Sequence, residues 1–315
     1  MAKWLDRLIK PSTRAFFREA KRTKNYSFLD GLHGYVYARW LYFYIHVGSG
    51  KHWLARAGRR AWKVLHRMRW APSPGRAAAK TFADGYHGKV VPLQQARELV
   101  HLDKPLTLGD LERVIPYTHA RDIVLKNPDH IVALECACRA VAEHPCLPLD
   151  VCLVIGEPFA SFVLEHHPRR SRRISPQQAD DILRSEHERG HVQHAFFKDA
   201  MLNRFYAICN CCACCCVAMQ SFRQGTPMLA SSGYVVVVDG DRCSDCGLCV
   251  KKCPFTALRL VAKRLHVDAD RCMGCGVCVS VCQQHALQLQ RDAGKGEPLE
   301  IVELMRRVHA SQMIP

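Results

Sequence analysis

A 29-residue repeat of cysteines near one end constrains this chain more than any other feature. Cys243, Cys246, Gly247, Cys249, Cys253, Ala257 and Leu258 recur as Cys272, Cys275, Gly276, Cys278, Cys282, Ala286 and Leu287, and Asp-Arg-Cys opens both halves. Each half can supply a strand, a cysteine loop, a short helix and a returning strand, so the duplication predicts a pseudo-twofold unit. Zinc takes four ligands from two separated CxxC pairs. Eight cysteines in two equal CxxCxxCxxxC runs point instead to two iron sites. Gly247 and Gly276 permit positive φ and close backbone approach to a metal centre, and Pro254 pins the chain as it leaves the first loop.

The pattern resembles the bacterial two-cluster ferredoxins, in which three cysteines of one run bind a [4Fe-4S] cube and the fourth crosses to the other. The resemblance implies Cys243, Cys246, Cys249 and Cys282 as ligands of cluster I, and Cys272, Cys275, Cys278 and Cys253 as ligands of cluster II. Gln283 departs from the family, which often has proline there, but no ligand is lost. The resemblance covers residues 233–292 only.

The chain has 315 residues and 18 cysteines. That many thiols suit a disulfide scaffold in a short secreted chain, and this one is long. Its first 24 residues carry charges throughout, with no uncharged apolar core of a secretory leader, so a reducing, cytoplasmic setting is expected and dense cysteine there signals metal. Ten cysteines lie outside the repeat: Cys136, Cys138, Cys146, Cys152, Cys209, Cys211, Cys212, Cys214, Cys215 and Cys216. Alternate residues of a strand share a face, so Cys136 with Cys138, and Cys209 with Cys211, can project as pairs and gather four thiolates between two strand ends. Alternatively Cys136, Cys138, Cys146 and Cys152 form one set and the run 208–216 another. Adjacent cysteines point apart, so all six of that run cannot serve one metal. One or more further iron–sulfur centres are expected here.

Lys and Arg exceed Asp and Glu by 16, and the excess is concentrated at one end. Residues 1–80 hold 18 basic and three acidic side chains and all five tryptophans. Apolar positions Leu54, Ala57, Ala61, Leu65 and Met68 predict a basic amphipathic helix from Leu54 to Trp70, suited to an anionic membrane surface or an acidic partner. Nucleic acid is not expected, because no reading module accompanies the charge. The apolar run Gly34–Val47 is interrupted by Arg39 and His46 and is too short to span a bilayer.

The expected fold class is α+β: a basic aromatic helical region (1–80), a Cys-rich α/β domain (81–232), a ferredoxin-like 2[4Fe-4S] module (233–292) and a C-terminal helical tail (293–315). A linker is expected over 71–92, helices near 93–101 and 108–117, strands at 130–136, 192–197 and 203–209, and a helix at 176–189 opened by a Ser175/Gln178 capping box and stopped by Gly190. His187-Glu188-Arg189-Gly190-His191 fits HExxH formally, but Gly190 ends the helix. Gly48–Lys51 lacks the first glycine and the Ser/Thr of a phosphate loop. Glu165, His166 and His167 are read as decorating a helix end.

With Cys136–Arg139, Asp150–Val163, Arg189–Phe197 and Ile208–Cys216 preceding the module, the whole chain resembles a group of 4Fe-4S-binding proteins of anaerobic bacteria. The resemblance implies single-electron transfer between redox partner proteins. The alternative is an enzyme in which upstream thiolates, Cys211 and Cys212 among them, form a catalytic centre for disulfide or small-molecule reduction.

Overall fold

A computed structural model describes residues 9–58, 76–109 and 111–312. The N-terminal part is helical: α1 (Pro11–Ala20), α2 (Phe28–Arg39) and α3 (Leu41–Gly48). Pro11 opens α1 where a missing N–H costs nothing, and Ser27 and Asp30 close a reciprocal capping box on α2. The apolar run 34–47 therefore breaks at Trp40 into two helices. Residues 53–58 are helical, and the remainder of the expected basic helix, 59–70, lies outside the described residues.

From residue 76 on, the segment expected as a linker is structured. α4 (Arg76–Gly85) runs into β1 (Tyr86–Val90), an inner strand of the main sheet; Gly88 sits there because a side chain would press on Phe196 and Leu229. The elements that follow are α5 (Leu93–Val100), β2 (Leu106–Leu108), β3 (Ile123–Leu134), α6 (Ala137–Ala140), β4 (Cys152–Glu157), α7 (Phe159–His166), β5 (Ser171–Ile174), α8 (Pro176–Glu188), β6 (Val192–Lys198), β7 (Arg204–Cys211), α9 (Val217–Arg223) and β8 (Leu229–Ala230). The helix expected over 108–117 is a set of turns around Leu111–Ile115 instead, cut short by Pro116, which cannot donate to a helical ladder.

The sheet runs in the order β2-β3-β4-β7-β6-β1-β8, with β5 on β3, and is antiparallel except for β1 with β8. Cys152, Cys209 and His194 are in register across β4, β7 and β6 and so share a face. One apolar core reaches from Phe16 through this sheet to Ile301, so the boundary expected near residue 80 falls inside α4 and the core crosses it. Glu165, His166 and His167 are not surface decoration: they clamp the N-terminal helices to α7. His166 Nε2 meets Thr13 Oγ1 at 2.8 Å, His167 Nε2 meets the Ala38 carbonyl at 2.7 Å, and Glu165 accepts from the Ser12 amide at 2.9 Å.

The repeat builds two halves: β9 (Tyr234–Val238) with α10 (Leu248–Lys252) and β10 (Leu258–Val261), then β11 (Arg264–Val267) with α11 (Val277–Ser280) and β12 (Leu287–Arg291). β9 pairs with β12 and β10 with β11. The twofold is visible in single bonds, since the Asp239 and Asp268 amides donate to the carbonyls of Ala286 and Ala257, each at 2.8 Å. α12 (Ile301–Gln312) follows. No helix among the described residues is long and apolar enough to cross a membrane.

Candidate metal centres

The eighteen cysteines, none of them disulfide-bonded, fall into four groups. Two belong to the repeat. A cavity of about 110 Å³ is lined by Cys243, Cys246, Cys249 and Cys282, and one of about 20 Å³ by Cys253, Cys272, Cys275 and Cys278. Each takes three cysteines from one half and one from the other, because α10 and α11 pack together and carry each fourth cysteine across. Gly247 and Gly276 have φ of 72° and 81°, the left-handed region glycine enters without penalty. The Ala257 and Ala286 amides donate to Cys253 Sγ and Cys282 Sγ, both at 3.3 Å, and N–H groups aimed at sulfur stabilise its anionic form. Burial pushes the Cys275 thiol up to about 12 and raises Cys278 further. Such sulfurs ionise when a cation compensates them, which is what iron supplies.

The third group is compact. The sulfurs of Cys146, Cys212, Cys214 and Cys215 all lie within 4.8 Å of one another, with Cys146 to Cys214 at 3.0 Å and Cys214 to Cys215 at 3.7 Å. Against the cost of burial, contacts from Cys146, Cys215 and Cys212 hold Cys214 below the usual thiol value.

The fourth group surrounds a cavity of about 80 Å³ under α2 and α3, lined by Cys136, Cys138, Cys152, Cys209, Cys211 and Cys216, and also by Cys212 of the compact group. Of the arrangements expected for the upstream cysteines, the first is met in part: Cys136, Cys138, Cys209 and Cys211 line one cavity, but Cys152 and Cys216 join them and the delivery differs. Cys136 lies past the end of β3 and Cys138 on α6, so they do not alternate on a strand, and β4 stands between β3 and β7 and brings Cys152 opposite Cys209. Cys146 joins three cysteines of the 208–216 run, and Cys136, Cys138 and Cys152 join the other three. Cys211 and Cys212, adjacent in the chain, belong to different groups.

Between chamber and repeat lies a buried polar network that the sequence reading passed over. Arg139, fully buried, pairs with Glu186 and bonds the carbonyls of Pro148 at 2.6 Å and Asn210 at 3.1 Å. His191 Nδ1 meets Glu186 at 2.7 Å, whereas His187 Nδ1 meets Gln193 Oε1 at 2.9 Å. The two histidines of the HExxH match are thus committed to different partners. Gly190, at φ 89°, turns α8 away and sits against Lys252 and Val277 of the repeat.

Residues 235–283 match the family model described as a 4Fe-4S dicluster domain. No curated protein matches the chain. What the chain carries over its C-terminal part is a 4Fe-4S dicluster domain, and ahead of it stand two further cysteine groups, one of them compact enough to hold a metal ion.

Proposed function

We propose that this is an electron-transfer protein whose two [4Fe-4S] clusters are held by Cys243, Cys246, Cys249 and Cys282 and by Cys253, Cys272, Cys275 and Cys278. The partition of these eight cysteines between two cavities inside a dicluster domain carries the reading. Bound clusters of this type supply one-electron exchange at potentials set by burial and by hydrogen bonds to sulfur. The chain's own contribution is to hold the thiolates, to aim the Ala257 and Ala286 amides at two of them and to exclude water.

The compact group supports a separate centre with one metal ion. A tetrahedral ion with metal–sulfur bonds of about 2.3 Å holds its sulfurs about 3.8 Å apart, which the 3.7 Å between Cys214 and Cys215 matches, while Cys146 and Cys214 stand closer, at 3.0 Å. A cube presents its thiolates on four different irons and needs them spread wider.

The N-terminal helices supply a docking surface for an anionic membrane face. Phe28, Leu29, Leu32 and Val36 are exposed along α2, followed by Trp40, Phe43 and Trp53. Residues 9–58 carry nine basic side chains against Glu19 and Asp30. Aromatic and aliphatic groups ringed by cations suit the headgroup boundary.

The test is anaerobic purification of the full chain with iron and sulfide analysis and EPR. Two dithionite-reducible cubes are expected, with Cys246→Ser losing one signal and keeping the other. A colourless protein carrying zinc alone overturns the reading.

A further inference from the structure

We infer that Cys136, Cys138, Cys152, Cys209, Cys211 and Cys216 are the ligand set of one iron–sulfur cluster of more than four irons, seated in the chamber between the main sheet and helices α2 and α3. The site is separate from the repeat and does not rest on the reading given to it.

The first ground is the arrangement of the donors. The six cysteines ring one space: Cys209 stands opposite Cys152 across β7 and β4, Cys211 follows two residues on along β7, and Cys136, Cys138 and Cys216 come from the two short helices and their starts. All six line one cavity. Among the described residues, the compact group at Cys146 has its donor atoms mutually within 4.8 Å, and no three sulfurs of the ring do. They mark a perimeter instead of converging on a point. A single ion bonds to four sulfurs at one centre, and a cube offers four irons for terminal thiolates. Six donors on a perimeter exceed both.

The second ground is how the fold delivers them. Cys209 and Cys211 come from one face of β7 and Cys152 from the facing residue of β4. Cys136 and Cys216 each occupy the residue before a short helix, with nearly the same backbone angles, φ −60° and ψ 114° against φ −63° and ψ 117°. Two sheet strands and two matched helix starts are a built enclosure, not six thiols scattered as small apolar side chains.

The third ground is the wall. Tyr37, Tyr86, Tyr206, Arg139 and Asn210 are its other polar side chains, and Leu41, Ile45, Val163 and Phe196 are among those completing it. Among the described residues, no carboxylate lines the cavity. A soft, thiolate-only, water-excluding site suits iron–sulfur cores and rejects hard, hydrated cations. Cys136, Cys152, Cys211 and Cys216 are buried, so a core held by them is kept from solvent.

The experiment uses the full chain carrying Cys146→Ser and Cys214→Ser, which removes the compact group at its two most accessible sulfurs. Native mass spectrometry of anaerobically prepared protein then reads each inorganic core as a mass increment. The expected result is a core heavier than [4Fe-4S] in addition to whatever the repeat holds, and the additional Cys152→Ala and Cys216→Ala changes should remove that core alone. A chamber that takes nothing, a single ion, or a core no larger than [4Fe-4S] overturns the inference. So does a heavy core that survives the chamber changes. If the repeat loads no cubes while the heavy core is present, the reading of the repeat fails and this one stands.

Discussion

Arg139 and Glu186 form an ion pair in which neither side chain has any solvent exposure. Glu186 is buried, which by itself raises its pKa, yet His191 and Arg139 together hold it below the usual carboxylate value. Removing one partner strands the other charge. Arg139→Met is expected to cost about 3–5 kcal/mol, read as a lowered urea midpoint under anaerobic conditions. The pair's contribution is complete above the unfolded carboxylate value and is lost as pH falls through the lower folded one. An unchanged midpoint would show that the pair does not hold α8 against α6.

Gly274 tolerates no side chain. Its φ is +62°, and a Cβ there would lie 2.3 Å from both Ser232 Oγ and the Tyr234 carbonyl oxygen. Gly274→Ala should cost at least about 1–3 kcal/mol in local strain and abolish metal uptake in the cavity lined by Cys272, Cys275 and Cys278. Gly225 is the control: it also has positive φ, with nothing within 4 Å of a Cβ, so Gly225→Ala should cost about 1 kcal/mol and leave metal content alone. Equal losses in the two variants would contradict the steric argument.

Buried histidines give the fold an acid limit. His87 and His194 are fully buried, and burial lowers each to about 4. The unfolded chain binds these protons first, so stability is complete above the ordinary histidine value and falls as pH drops from about 6.5 toward 4, by up to about 1.4 kcal/mol per pH unit for each group. His194→Phe should flatten that slope by one proton, measured by denaturant melts across the window. A slope identical to that of the parent chain would refute the assignment.

The exposed face of α2 predicts a binding difference. Phe28→Glu together with Leu29→Glu should abolish flotation with vesicles containing phosphatidylserine, while the unaltered chain floats and releases as salt rises. Neither residue is buried, so the melting transition should stay where it was. Equal flotation of both proteins would remove this surface from consideration.

Much of the repeat was legible in the sequence, because the information is local: spacing, the glycines and the duplication each reported on a few adjacent residues. The helix α8 was legible for the same reason, its capping box and stop being short-range signals. The upstream cysteines were not. Their grouping is decided by β4 coming between β3 and β7, a long-range pairing that no local pattern encodes, and by Cys136 standing just past a strand end where a one-residue shift changes which way a thiol points. The segment 76–90 misled because Gly85 and Gly88 read as loop residues. Gly88 answers instead to the crowding of Phe196 and Leu229. His166 and His167 were misjudged because their partners, Thr13 and the Ala38 carbonyl, lie more than a hundred positions away.

Helix α2 has two duties on opposite sides of one cylinder. Phe28, Leu29 and Leu32 look outward, while Tyr37 and Ala38 form part of the chamber's roof. A helix is stiff over this length, so there is no slack between the outer skin and the roof. A displacement of the outer face is therefore also a displacement of the ceiling above six sulfurs.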